Sequence, residues 1–205
     1  MNIAIIGKGR VGSALARGLD RSGHHIVIGA RDTANGDIVH LINEGRYISA
    51  NTIEEAAKEA EVIIIAVPID AIISIAHALG DVHDKIIIET TNGFGNEIPE
   101  FKFASIAISN ITGCNDVVKC FNTIGYESLS NPLFGKVRAD TFVAGNSLKA
   151  KIVAQHLAND LGFENCYDLG GDENLHLLEN VAEIWIALAS KSKLGRNIAF
   201  KILSK

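Results

Sequence analysis

The sequence predicts an α/β fold with a doubly wound, mostly parallel sheet. Three observations predict it. Short β-branched runs recur along the chain and are apolar throughout rather than alternating, as in strands covered on both faces. Segments with helical spacing lie between several of these runs. The chain also opens on "NIAIIGKGRVGSALARGL", in which an apolar run, a glycine-rich turn and a helical pattern follow one another directly. The 205 residues, 47% of them hydrophobic, are enough to bury one sizeable core. No repeat, low-complexity tract or proline-rich linker marks off a second unit. Residues 1–205 are therefore read as one domain, with 172–205 as a closing helix and tail.

Each element follows from its residues. Asn2 to Ile6 form the first strand, Val11 to Arg21 the first helix, and His25 to Gly29 the second strand, at the spacing of a βαβ unit. A short piece near Tyr47 to Ser49 is read as an added inner strand. Thr52 to Ala60 form a helix and Glu61 to Val67 a strand. The stretch "VIIIAVPIDAIISIAHAL", Val62 to Leu79, is apolar enough to suggest a membrane span, but Pro68 and Asp70 interrupt it. A run ending at Val67, then proline at a helix start and an acid in its first turn, reads as strand, turn and a helix over Asp70 to Leu79. Further strands are expected at Lys85 to Thr90, Val117 to Phe121 and Thr141 to Ala144, with a helix at Ser147 to Leu161. After Tyr167 to Leu169, the segment Asp172 to Lys191 places Leu175, Leu178, Val181, Ile184, Trp185 and Leu188 on one broad helical face. Trp185 is read as core.

Composition narrows the function. A net charge of -5 without a block of like charge argues against a nucleic-acid partner, which needs a clustered basic face. Cys114, Cys120 and Cys166 are an odd number without a C-x-x-C pair, which suits a reducing compartment. The start "MNIAIIG" lacks a basic segment and cleavage site, so a cytoplasmic protein with no membrane partner is expected. The seven histidines show no metal-ligating spacing and no metal is expected. The absence of G-x-S-x-G and G-x-x-x-x-G-K-S/T patterns removes common hydrolase and NTPase readings.

The glycines carry the positive signal. Between a strand and a helix, Gly7 lets the chain turn, Gly9 lets the backbone approach a pyrophosphate, and Gly12 lets helix pack on strand. Free amides at the helix start would hold the phosphates. This is the dinucleotide-binding pattern of a Rossmann fold. Ligands of such sheets sit beyond the carboxyl ends of the strands, so the chemistry is expected at Gly7 to Gly12, Ala30 and Arg31, Val67 and Pro68, Thr91 to Gly93, and Asn122 and Thr123. At the second tip, "GARD", the Arg31 fork suits a 2′-phosphate and favours NADP, while Asp32 leaves an NAD ribose contact open. None of these tips resembles an acid-base machine, so redox chemistry carried by the nicotinamide itself is expected, with no catalytic side chain.

These motifs resemble a known family. "IIGKGRVGSALA", "IVIGAR", "VIIIAVP" and "VVKCFNTI", in this order, with "LENVAEIWIALA" and "LGRNIAF" at the end, are similar to the NADP-linked oxidoreductases that reduce or oxidise the deazaflavin coenzyme F420. The same nucleotide fold occurs in the amino-terminal domain of pyrroline-5-carboxylate reductases and in the cytoplasmic domain of six-transmembrane ferric reductases. The resemblance implies NADP(H) as cofactor. It places Gly9, Arg10 and Val11 on the pyrophosphate, Ala30 and Arg31 on the 2′-phosphate, Val67 and Pro68 at the nicotinamide ribose, and Cys120 and Asn122 at the nicotinamide end. Gly7, Lys8, Gly12, Thr91 and Asn92 complete the expected cofactor set. Relatives often carry Gly-Ser-Arg where this chain has Gly29, Ala30 and Arg31, and Pro where it has Gly125. An acidic coenzyme tail would need a basic rim, for which Lys136, Arg138, Lys193 and Arg196 are the candidates.

The function expected is hydride transfer between NADP(H) and a small electron acceptor: deazaflavin, flavin or ferric chelate. A non-catalytic NADP(H)-sensing module and an imine or hydroxyacid reductase remain the alternatives, and a homodimer is an assembly the sequence allows.

Overall fold

A computed structural model describes residues 1–93 and 98–205. The first half alternates strand and helix: β1 (Asn2–Ile6), α1 (Arg10–Arg21), β2 (His25–Gly29), α2 (Gly36–Glu44), β3 (Ile48–Asn51), α3 (Ile53–Glu59), β4 (Val62–Ile65), α4 (Ile72–Ala78) and β5 (Ile86–Glu89). The second half holds α5 (Ala104–Thr112), β6 (Val117–Cys120), α6 (Tyr126–Leu129), the hairpin β7 (Leu133–Phe134) and β8 (Val137–Arg138), β9 (Asp140–Ala144), α7 (Leu148–Leu161), β10 (Asn165–Asp168) and α8 (Leu175–Ile186).

Among the described residues eight strands form one sheet in the order β10-β9-β6-β5-β4-β1-β2-β3. The six from β6 to β3 are parallel, as expected. β9 and β10 run the other way, since β9 pairs with β6 antiparallel and β10 with β9 parallel. The cause is local: the β7–β8 hairpin, rather than a crossover helix alone, returns the chain after β6, so β9 enters at the carboxyl edge.

Both faces of the sheet are covered. Alternate strand residues such as Ile3, Ile5 and Ile28 pack under Leu15 and Leu19 of α1, Leu41 of α2 and Leu157 of α7. Their neighbours Ala4, Ile63, Ile65 and Ile87 pack under α3, α4 and α5 through Ala56, Ile72 and Ile108. A third cluster seats Leu175 and Leu178 of α8 on Phe142 and Ala144 of β9. Every residue of β4 is buried, which explains its unbroken "VIII".

Two expectations need correction. The strand near Tyr47 to Ser49 lies at Ile48–Asn51 and forms the outer edge of the sheet, not an inner strand, because β2 already pairs β1 on its other side. The closing helix over Asp172 to Lys191 is broken into a 3-10 turn at Asp172–Asn174, α8, and a π-helical turn at Ala187–Lys191. Ile184 is more than half exposed rather than on the buried face, whereas Trp185 is core as expected. The apolar stretch from Val62 to Leu79 is β4, a 3-10 turn at Ile69–Ala71 and the short α4. No helix among the described residues is long and apolar enough to cross a membrane.

Candidate functional site

The glycine loop joins β1 to α1. Gly7 has φ of +119°, and a side chain there would lie 2.2 Å from the Ala66 carbonyl oxygen. A Cβ on Gly12 would come 2.0 Å from the Gly7 oxygen. Both positions are thus closed to larger residues by the protein itself. Gly9 is different, because nothing lies within 4 Å of where its Cβ would stand. It is also the N-cap of α1, with no side-chain cap and no acid in the first turn. The helix start therefore presents its free amides and the positive end of its dipole to open space.

Beside this loop a cavity of about 350 Å³ is lined by Gly7, Lys8, Gly9, Ala30, Arg31, Asp32, Val67 and Pro68, among others. The tips of β1, β2 and β4 meet there, as the sequence implies. Arg31 is exposed and makes no ion pair among the described residues, whereas Asp32 turns back to accept a hydrogen bond from the Ala34 amide at 3.1 Å. Lys8 lies 3.7 Å from Asp37. Arg10 stacks over the Tyr126 ring at 5.1 Å, in a second cavity of about 500 Å³ shared with Lys8, Gly9 and Ser13. A larger concavity of about 830 Å³ around Arg21, Arg138 and Asp160 includes none of the expected cofactor-binding residues.

The tips of β5 and β6 form the other end of the edge. Asn122 donates to Asn92 Oδ1 at 2.9 Å and to the Leu178 carbonyl of α8 at 3.2 Å, while Asn92 donates to the Asn122 carbonyl at 3.2 Å. Phe121, just before Asn122, is buried with φ of +65°, a strained conformation for a residue with a Cβ. The side-chain oxygens Thr91 Oγ1, Asn122 Oδ1 and Thr123 Oγ1 are buried without a partner among the described residues. Native proteins seldom leave such atoms unpaired. Cys120 differs from the other expected residues: its side chain points into the core, fully buried and 3.9 Å from Cys166 Sγ, so it offers this edge only its main chain. Burial pushes its thiol well above the ordinary range.

Beneath these tips lies a group that sequence reasoning missed. Glu89 and Lys119 are register partners on β5 and β6, both essentially unexposed. Lys119 Nζ lies 3.0 Å from Glu89 and 2.8 Å from Glu179 of α8. It also donates to the Thr91 carbonyl. Glu89 accepts from the Thr91 amide and from Ser105 Oγ, and Glu179 accepts from the Gly93 amide at 3.1 Å. Burial alone would lower the Lys119 pKa, but the two carboxylates hold it above its ordinary value. The signal was present as a charge inside two apolar runs, "IIIE" and "VVKC".

The chain after α8 crosses the same end. Trp185 Nε1 donates to the Ile198 carbonyl at 2.8 Å, and Arg196 pairs with Glu127 and stacks over the Tyr126 and Trp185 rings. A Cβ at Gly125 would come 2.8 Å from the Trp185 ring, which accounts for glycine there. The tail ends on buried Asp140, the first residue of β9, which accepts from Lys201 Nζ at 2.9 Å and the Ile202 amide at 2.8 Å. Of the expected basic rim, Arg196 stands here, while Arg138 donates to the Gly162 carbonyl instead.

The chain's likeness to known proteins agrees with this geometry. Residues 2–93 match the family model for NADP oxidoreductase, coenzyme F420-dependent. The F420-dependent NADP reductase of Methanothermobacter marburgensis is 28% identical over 98% of both chains. A crystal structure from Arthrobacter sp. FB24, named as a candidate F420-dependent NADP-reductase, superposes over the whole of both chains with a TM-score of 0.87 and 25% identity. An imine reductase of Streptomyces aurantiacus shares the fold, with a TM-score of 0.68 and 15% identity over 92% of this chain and 61% of its own length. Residues 2–93, the segment that carries the glycine loop and Arg31, are thus similar to the coenzyme F420-dependent NADP oxidoreductases, and the class of the chain is an NADP-dependent oxidoreductase.

Proposed function

We propose that this protein transfers a hydride between NADP(H) and a small flavin-like acceptor, deazaflavin foremost, with the nucleotide laid along the carboxyl edge of β2, β1, β4, β5 and β6. The observation that carries this reading is the emptiness at Gly9. Gly7 and Gly12 are required by internal packing, but no neighbour accounts for Gly9, so the missing side chain is explained by a ligand backbone approaching an uncapped helix start.

In this arrangement Gly7, Lys8, Gly9, Arg10, Val11 and Gly12 surround the pyrophosphate. Ala30 leaves room and the exposed Arg31 fork takes the 2′-phosphate, which Asp32, engaged in its own turn, does not oppose. Val67 and Pro68 border the second ribose. Thr91, Asn92 and Asn122, with the main chain of Cys120, hold the nicotinamide end, where the partnerless oxygens of Thr91 and Asn122 suit the donors of a carboxamide. The cofactor supplies the hydride; the chain's own residues bind, orient and exclude water. No side chain is assigned an acid or base role. Support for F420 as acceptor comes from the names of the Methanothermobacter relatives.

The test is NADPH oxidation with deazaflavin, flavin, ferric chelate, quinone and imine acceptors. Turnover with deazaflavin, well above the others, is expected. Tight NADPH binding with no turnover of any acceptor would identify a sensing module instead, and turnover of the imine alone would identify an imine reductase.

A further inference from the structure

We infer that the buried group Glu89–Lys119–Glu179 sets which redox form of the nicotinamide the protein prefers, its surplus carboxylate charge favouring the oxidised, cationic ring. This role rests on the nucleotide placement proposed above.

The three side chains do more than join β5, β6 and α8. Two carboxylates face one ammonium, so the group carries a formal charge of minus one, with Glu89 and Lys119 closed to water and Glu179 only partly exposed. Among the described residues no second cation reaches ion-pair distance of either carboxylate. The carboxylates instead accept from the Thr91 and Gly93 amides and Ser105 Oγ, the donors an ionised carboxylate requires. Those two amides belong to the tip of β5. The charge is thus one hydrogen bond from the edge where the nicotinamide end is placed.

A second, independent observation points to a ligand there. Thr91 Oγ1, Asn122 Oδ1 and Thr123 Oγ1 lack partners although their residues are at least nine-tenths buried, and all three stand at the tips of the two strands that hold Glu89 and Lys119. A bound polar ring edge would satisfy them. Loss of a hydride from C4 of the dihydronicotinamide, with both electrons going to the acceptor, turns that ring from neutral to a single positive charge. A fixed negative charge nearby then stabilises NADP+ over NADPH, and so favours hydride donation from NADPH to the acceptor. Attraction between unit charges about 10 Å apart, at the effective permittivity of a partly buried site, amounts to roughly tenfold in an equilibrium constant.

The test compares nucleotide affinities in the full chain. Glu179 is the better variant, because its side chain is 20% exposed and Glu179→Gln keeps an oxygen for the Gly93 amide. Dissociation constants for NADP+ and NADPH are measured in wild type, E179Q and E89Q, with folding checked by circular dichroism. The ratio of the NADP+ constant to the NADPH constant should rise by about three- to tenfold in E179Q, and in the same direction in E89Q. An unchanged ratio in a folded variant that binds both nucleotides would overturn the proposal and leave the group a structural brace. Arg31→Ala serves as the separate check on placement: it should weaken both forms together without moving the ratio. If it weakens neither, the nucleotide lies elsewhere, whatever the ratio does.

Discussion

The two ends of the sheet's carboxyl edge are made from opposite materials. Under the tips of β1, β2 and β4 the strands carry no buried ionisable side chain, and the edge itself is glycine, main-chain amide and exposed side chains such as Arg31. Under β5 and β6 lie a buried ion group, a phenylalanine in a left-handed conformation, three partnerless oxygens and a tail pinned to Asp140. The contrast follows from what each end has to hold. Amide dipoles and empty space suffice for a phosphate, whereas fixing the face of a ring calls for side chains whose positions are braced from below. At the phosphate end Gly9 and Arg31 can thus be changed without touching the core. The ring end cannot.

The largest expected effect breaks the phosphate end alone. In Gly9→Val a side chain fills the open approach, and NADPH affinity should fall by more than about a hundredfold. The thermal midpoint should hardly move, since Gly9 has an extended backbone conformation open to valine and no neighbour within 4 Å of a Cβ. Fluorescence titration and thermal unfolding read the two quantities. A folded variant with unchanged affinity would dissolve the contrast, because the glycine would then be structural like its neighbours.

A smaller effect should appear at the ring end and on stability rather than binding. Burial would raise the Asp140 pKa, but the Ile202 amide, the Lys201 ammonium and the Asn165 amide together hold it below the usual carboxylate range. A depressed folded-state pKa contributes stability that is present above the unfolded value near 3.8 and lost as pH falls through the folded value. Asp140→Asn should therefore cost about 1–2 kcal/mol at pH 7, with the gap to wild type constant down to about pH 5 and closing below about pH 4. Urea midpoints followed by Trp185 fluorescence measure this. A gap that stays open in acid would mean that shape, not charge, anchors the tail.

The same contrast explains what could be read in the chain. Strands buried on both faces announce themselves as unbroken runs, and the glycine loop is a local pattern, so β1, α1, β2, β4, α7 and the tips at Gly7, Arg31 and Pro68 were legible. What escaped depends on partners distant in sequence. Gly36–Glu44 is capped by Asn35 and buries only Ile38 and Leu41, and "ASIAISNIT" in α5 is rich in residues that favour other conformations, so neither helix declares itself locally. The reversal of β9 depends on a two-residue hairpin. Glu89 and Lys119 looked like lapses in apolar runs, because only the sheet register and α8 bring them together with Glu179. Cys120 was placed at the nicotinamide end by the family resemblance, but strand alternation turns its side chain toward Cys166.

The most direct test of the account is the cofactor preference set by Arg31. Dissociation constants for NADPH and NADH are to be measured in wild type, Arg31→Ala and Asp32→Ala at low and moderate salt. Loss of a charge-assisted contact worth about 1.5–3 kcal/mol should weaken NADPH by roughly tenfold to a hundredfold in Arg31→Ala, leave NADH nearly unchanged, and reduce the salt dependence of NADPH binding. Asp32→Ala should change little, since its carboxylate serves the Ala34 turn. If only Asp32→Ala alters binding, and NADH is the nucleotide that suffers, the 2′-phosphate site and the NADP-dependent function built on it are wrong.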